Sequence, residues 1–300
     1  MLPNFLIIGA AKSGTTAIYT YIKQHPEIFM SPKKELRYFS NIYPQPKNVP
    51  NQYIHESVSS LEEYEHFFAG VTDERVIGES SPTYLYTPGT AENIKLNIPH
   101  VKLLVILRNP IDRAYSAYTH ALREWKEPAK TFKDALALES QRIDAGWGML
   151  WHYVNAGLYF EQLSRYYEVF NPSQIKVVLY DDLVNDPYDL LQDIFLFLGV
   201  DIKFKPDISS RPNVSGFPKN SRLDIFLRKL FLGDNLLKRI SQNLFPTAFR
   251  KKVTTKIRQT NLEKRAMPLD TRKQLAMTFS EDILQLEKLI NRDLSLWLSS

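Results

Sequence analysis

The residues best suited to chemistry stand in two short segments rich in anion-binding groups. The first, Gly9-Ala10-Ala11-Lys12-Ser13-Gly14-Thr15-Thr16, follows the apolar run Phe5–Ile8 and precedes residues with a helical pattern. A small-residue loop between a strand and a helix N-terminus gathers free backbone N–H groups at the positive end of the helix dipole, which makes a cradle for an anion. Glycines let the backbone approach that anion closely. Lys12 adds a full charge, and Thr15 and Thr16 add hydroxyl donors. A nucleoside-triphosphate loop places its lysine directly after the second glycine. Here Lys12 precedes Gly14 by two residues, so the segment is not of that type. A plain glycine turn entering a helix is the alternative.

The second segment, Arg108-Asn109-Pro110-Ile111-Asp112-Arg113-Ala114-Tyr115-Ser116-Ala117-Tyr118, follows the strand-like run Lys102–Leu107. Arg108 falls at the carboxyl end of that strand, the edge at which open α/β sheets bind ligands. A guanidinium makes forked contacts to phosphate oxygens, and Ser116 on the following helix adds a donor. Arg113 has two readings, a second anion contact or a structural partner of a carboxylate.

Taken together, Lys-Ser-Gly-Thr-Thr after the first strand and Arg-Asn-Pro-x-x-Arg-Ala-Tyr-Ser-x-Tyr about a hundred residues later resemble the sulfotransferases that use 3′-phosphoadenosine-5′-phosphosulfate (PAPS), in particular the heparan-sulfate N- and 3-O-sulfotransferase branch. The likeness runs over roughly residues 4–220 and takes in Gly157–Phe170, Ile175–Leu183 and Ile194–Val200. It implies a three-layer α/β fold of the P-loop type, with a central parallel sheet flanked by helices. It implies that Lys12, Ser13, Gly14, Thr15 and Thr16 hold the 5′-phosphosulfate, and that Arg108 and Ser116 hold the 3′-phosphate. By the same resemblance Asn213–Lys219 stands where relatives have a basic loop closing on the nucleotide, with Lys219 its lysine. The product would be PAP, and the chemistry needs no metal.

Transfer of a sulfuryl group calls for a base at the acceptor and charge relief at the departing phosphate oxygen. Lys12 suits the second task. Lys33-Lys34-Glu35-Leu36-Arg37-Tyr38-Phe39 resembles the family pattern of a glutamate three residues before an aromatic pair, which implies Glu35 as the base. Without the family, Glu35 reads as a surface charge paired with its basic neighbours. His120 lies four residues after Ser116 on the same helix face. The resemblance implies a place near the acceptor; the other reading is structural. Glu79-Ser80-Ser81-Pro82 departs from the Glu-Lys-[ST]-Pro of 3-O-sulfotransferases, so a heparan-type acceptor does not carry over. Tyr43, Tyr53, His55, Trp125, Trp147 and Trp151 are candidates to line an acceptor cleft or to fill a core. The acceptor expected is a small molecule, a glycan or a lipid-linked compound, not a nucleic acid.

The elements that must position these groups read as an alternation. Phe5–Ile8, Ile28–Met30, Val76–Gly78, Leu103–Leu107 and Ile175–Leu179 are strand-like. Thr15–Gln24, Ala91–Asn97, Ile111–Trp125, Leu158–Phe170 and Tyr188–Leu198 are helix-like, which predicts a parallel sheet covered on both faces. Pro110 fits a first helical turn after Asn109, and Gly199 fits a C-cap. Asn41–Ser60, with three prolines, reads as a long loop of the kind that forms lids. After Asp201 the strands are expected to stop. Residues 1–220 then form the PAPS-binding domain and residues 221–300 a helical extension packed on it, ending in Asp282–Trp297.

The 300 residues, 44% hydrophobic and 24% charged, fit a soluble globular chain. No stretch reaches the roughly 18 apolar residues of a membrane span, and the start does not read as a signal peptide. The chain has no cysteine, which excludes disulfides and thiolate chemistry and suits a cytoplasmic location. The net charge of +5 is uneven: residues 219–265 carry thirteen Lys/Arg against three acidic residues. That segment reads as a solvated basic face or as a peripheral membrane contact, with Leu223, Phe226, Leu227, Leu230 and Phe231 at helical spacing. Two other classes stay open. Val177–Asp182 resembles the Mg²⁺-binding strand of a P-loop small-molecule kinase, and a non-catalytic PAP-binding protein docked at a membrane would keep the same fold.

Overall fold

In the computed structural model the described residues are 1–41, 57–209, 217–219, 262–263 and 265–298. Tyr43, Tyr53, His55 and almost all of the basic segment lie outside them, as does most of the Asn213–Lys219 loop.

Five short apolar runs form one sheet: Phe5–Gly9 (β1), Ile28–Met30 (β2), Val76–Ser80 (β3), Lys102–Leu107 (β4) and Ile175–Leu179 (β5). The order is β2-β3-β1-β4-β5, and every neighbouring pair is parallel. Strands covered on both faces need apolar residues at every position, and all five residues of β1 are buried. Leu6, Ile8, Leu103 and Val105 enter one core, while Phe5, Ile7, Leu104 and Ile106 enter the other. The three-layer α/β fold expected from the sequence is therefore present. The chain runs outward from β1 to β2 and β3, then crosses back to β4 on the far side of β1. The crevice between the carboxyl ends of β1 and β4 is the switch point at which such sheets bind ligands.

Helices flank the sheet: Thr15–Ile22 (α1), Leu61–His66 (α2), Thr83–Tyr86 (α3), Thr90–Asn97 (α4), Pro110–Arg123 (α5), Phe132–Ala137 (α6), Glu139–Asp144 (α7), Tyr159–Val169 (α8), Tyr180–Asn185 (α9), Pro187–Leu198 (α10) and Leu269–Ile290 (α11). Their ends follow local chemistry. Asn109 Oδ1 accepts from the Ile111 N–H at 3.0 Å and Pro110 occupies the first turn of α5. Gly199 closes α10 at a φ of 80°, the left-handed cap that glycine adopts without strain.

The C-terminal helix α11 packs against α8 and α5. Its Leu275, Phe279, Ile283 and Leu286, spaced three or four apart, belong to the same core as Leu103 and Val105. The Asp282 carboxylate accepts the N–H groups of Tyr159 and Phe160 at 2.9 and 3.1 Å, satisfying donors that the start of α8 leaves free. The expectation of no strand beyond Asp201 is corrected: Phe217–Pro218 (β6) pairs antiparallel with Leu262–Glu263 (β7). Two residues per strand, one of them proline, leave no period for a sequence pattern to reveal. Among the described residues no helix is long and apolar enough to cross a membrane.

Candidate functional site

A cavity of about 700 Å³ opens at the switch point. Its walls come from the carboxyl ends of all five strands. Lys12, Gly14, Thr15 and Thr16 follow β1, Glu35 and Arg37 follow β2, and Pro82 and Thr83 follow β3. Arg108 follows β4, with Ser116 and His120 on α5, and Tyr180 and Leu183 follow β5. Of the residues singled out in the sequence, Lys12, Gly14, Thr15, Thr16, Glu35, Arg108, Ser116 and His120 thus share one cavity. Ser13 is fully buried and does not line it. Lys219, exposed just beyond β6, does not line it either.

The loop after β1 has a strained backbone. Lys12 has a φ of 70° and Gly14 of 101°. For lysine such a conformation costs about 1 kcal/mol or more. A Cβ at Gly14 would stand 3.0 Å from both Leu183 Cδ2 and Tyr180 Cδ2, so the glycine is required by conformation and by space. Arg108 crosses the switch point: its Nη1 donates to the Lys12 carbonyl at 3.3 Å, and its guanidinium lies 4.6 Å over the Tyr180 ring. Behind it, the Tyr159 hydroxyl donates to the Arg108 carbonyl at 3.0 Å.

Burial, with Arg123 and Arg108 close by, lowers the Lys12 ammonium to about 8, against the opposing pull of Glu35 and Glu124. Two cations and two carboxylates therefore act on Lys12 at close range. Glu35 itself has a φ of 61°, donates its N–H to the Ser80 carbonyl at 2.9 Å and pairs with Arg37. Beneath that loop, Glu79 is wholly buried and accepts hydroxyl hydrogen bonds from Tyr64, Ser81 and Tyr84. Burial raises Glu79 to about 6, opposed by those three bonds.

The family model for the sulfotransferase domain matches residues 2–222. The chain belongs to the sulfotransferase family. A sulfotransferase of Alicyclobacillus acidocaldarius, known from its crystal structure, superposes with a TM-score of 0.76 at 34% identity over 99% of both chains. The membrane-associated sulfotransferase kil1 of Dictyostelium discoideum is 33% identical over 133 residues, 43% of this chain and 25% of that protein. Bifunctional heparan sulfate N-deacetylase/N-sulfotransferase 1 of Caenorhabditis briggsae is 27% identical over 228 residues, 71% of this chain and 24% of that protein. The chain thus spans about a quarter of the length of these two curated relatives. The resemblance to heparan-sulfate enzymes read from the two motifs is borne out.

Several side chains of this sulfotransferase stand elsewhere than their sequence suggests. Arg113 lines the cavity but is almost wholly buried, donating to the backbone carbonyls of His152 and Tyr153. Its structural role is thus exercised through carbonyls, not through the carboxylate partner expected. Trp125, Trp147 and Trp151 do not line the cavity, and Trp151 is core, its Nε1 donating to the Lys126 carbonyl at 3.2 Å. Met149 and Leu150 line it instead. Asp181 and Asp182, the candidate Mg²⁺ carboxylates of a kinase, also lie outside the lining. Asp181 accepts from Trp297 Nε1 at 3.2 Å, while Asp182 accepts the Leu179 N–H and pairs with Arg292. Among the described residues no three His, Asp or Glu side chains cluster closely enough to hold a metal.

One residue was missed. Lys34 Nζ donates to Thr16 Oγ1 at 2.8 Å and lies 5.4 Å over the Tyr19 ring. Burial lowers it to about 8, with Glu35 opposing. In the sequence it is one of two adjacent lysines, and nothing local separates it from Lys33.

Proposed function

We propose that this protein transfers a sulfuryl group from PAPS to a hydroxyl or amine of a carbohydrate or glycolipid acceptor. One observation carries this reading: the cavity has two cationic anchors, Lys12 with the hydroxyls of Thr15 and Thr16, and Arg108 with Ser116, while the Glu35 carboxylate lines the same space. A donor with phosphate groups at both its 5′ and 3′ positions needs two such anchors. The fit is supported by the tight backbone at Gly14, the hydroxyl and cationic donor set, and a volume within the range for small-molecule sites.

In this reading PAPS supplies an activated S–O bond to its 5′-phosphate. Glu35 takes the proton from the acceptor as its oxygen or nitrogen forms a bond to sulfur in line with the departing phosphate oxygen. Lys12 stabilises the charge that gathers on that oxygen when the S–O bond breaks and PAP leaves. Arg108 and Ser116 hold the 3′-phosphate, and Thr15 and Thr16 hold the 5′ end. Ser13 contributes through the loop backbone, His120 stands toward the acceptor, and Lys219 closes on the nucleotide. The reaction uses no metal.

Residues 1–220 serve as the donor domain and residues 221–300 as an extension packed on it. The protein works in the cytoplasm, with the basic segment 219–265 in peripheral contact with an anionic membrane surface.

The test is transfer of labelled sulfate from PAPS across glycans, lipids and phenols, with Lys12→Ala and Glu35→Gln alongside. The expected result is transfer to a glycan or glycolipid that both variants lose. Mg²⁺-dependent thermal stabilisation by ATP with none by PAPS would overturn the reading.

A further inference from the structure

A part of the chain beyond the family match at residue 222 packs against neighbours of Arg108. After α11 the chain ends its described course in a single turn, Ser295–Trp297, with Trp297 only 3% exposed. That tryptophan touches the two segments that flank Arg108, the β4–α5 turn and the first turn of α9. Its carbonyl accepts from Asn109 Nδ2 at 3.1 Å, and its Nε1 donates to Asp181 Oδ2 at 3.2 Å. Its ring meets the Tyr159 ring edge-on at 6.4 Å, and Tyr159 bonds the Arg108 carbonyl.

Each of these partners is next to the anchor or beneath it. Asn109 follows Arg108 directly, and its other side-chain atom caps α5. Asp181 follows Tyr180, the ring under the guanidinium. An arginine side chain has many rotamers to lose, so a fixed backbone on one side and a fixed ring on the other preorganise it for a bidentate anion contact. The buried hydrogen bond between Asn109 and the Trp297 carbonyl rigidifies the elements it joins, and the bond to the exposed Asp181 adds a second tie at the surface.

We infer that Trp297 is a positioning residue for the donor site: it clamps the β4–α5 turn to the first turn of α9 and so sets Arg108 against the 3′-phosphate. This rests on the proposed role of Arg108, and the experiment separates the two. Full-length protein is titrated calorimetrically with PAP and with adenosine 5′-monophosphate, which lacks only the 3′-phosphate. Thermal denaturation is followed in parallel. Wild type is expected to prefer PAP by tenfold or more. Trp297→Phe and Asp181→Ala each remove one partner of the indole hydrogen bond and are expected to weaken PAP binding by about fivefold to tenfold while leaving the monophosphate unchanged. Asp181→Asn, which keeps an acceptor oxygen, is expected to restore the preference. Equal binding of the two nucleotides by wild type would refute the role of Arg108. A wild-type preference that survives in both Trp297→Phe and Asp181→Ala, or equal weakening of both nucleotides in them, would overturn the clamp. If Trp297→Phe fails to fold, the two Asp181 variants decide the matter alone.

Discussion

Lys34 Nζ donates to Thr16 Oγ1 at 2.8 Å, which ties the loop after β2 to the first turn of α1. The hydroxyl oxygen accepts this bond and keeps its own hydrogen to donate, and Thr16 lines the cavity. Lys34 thereby turns a group that can donate or accept into a donor toward an anion. Lys34→Met is expected to weaken PAP binding about tenfold, the worth of a charge-assisted hydrogen bond. It is not expected to lower the melting temperature, because it removes a desolvated ammonium. Calorimetric titration and thermal denaturation at pH 7 check both halves.

Lys12 and Lys34 share a titration near pH 8. Both folded values lie below the ordinary 10.5 of lysine, so between pH 8 and 10.5 the unfolded chain binds more protons than the folded one. Stability should therefore rise with pH across that window, and Lys12→Met should flatten the rise. Donor affinity should move the other way. An anion favours the charged lysines, so PAP affinity is expected to hold below pH 8 and to fall above it, by up to about tenfold per pH unit for each lysine. Urea denaturation and PAP titration over the same pH series test the two opposite slopes.

Glu35→Gln keeps the shape of the side chain and removes the base. Turnover is expected to drop by about a hundredfold or more, with PAP affinity within about threefold of wild type. Steady-state kinetics beside PAP titration separate these effects. Unchanged turnover in a folded variant would rule out Glu35 as the base.

Gly14→Ala puts a Cβ 3.0 Å from Tyr180 and Leu183 at a φ of 101°. The expected cost is about 1–3 kcal/mol of stability, together with loss of donor affinity because the loop must shift. Urea denaturation of the variant against wild type measures the first, and PAP titration the second.

The sheet was legible because strands buried on both faces must be apolar at every position, as Phe5–Ile8 and Leu103–Leu107 are. Caps were legible for a local reason too, since Asn109, Pro110 and Gly199 act within one turn of their own position. The charged and hydroxyl groups proposed to hold the donor, Lys12, Thr15, Thr16, Arg108 and Ser116, could be read from two motifs, and all of them line the cavity. What escaped depends on which way a side chain faces after packing. Trp151 and Met149 are two residues apart, yet one is core and the other lines the cavity. Lys34 gained its place through a partner 18 positions away, and the Trp297 contacts span 116 and 188 positions. No periodicity encodes such distances.

The central place of β1 also has a kinetic consequence. Phe5 pairs with Gly78 on one side and Lys102 on the other, and β4 must then find β5 near residue 175. Contacts this far apart along the chain form late, since long loops must close before any of them is rewarded. The first strand can have both neighbours only once Leu107 has been made, and the sheet gains its last strand only at Ile175–Leu179. The walls of the pocket run from Ala11 to Ile208, so the nascent protein has no complete nucleotide pocket until synthesis has passed Ile208.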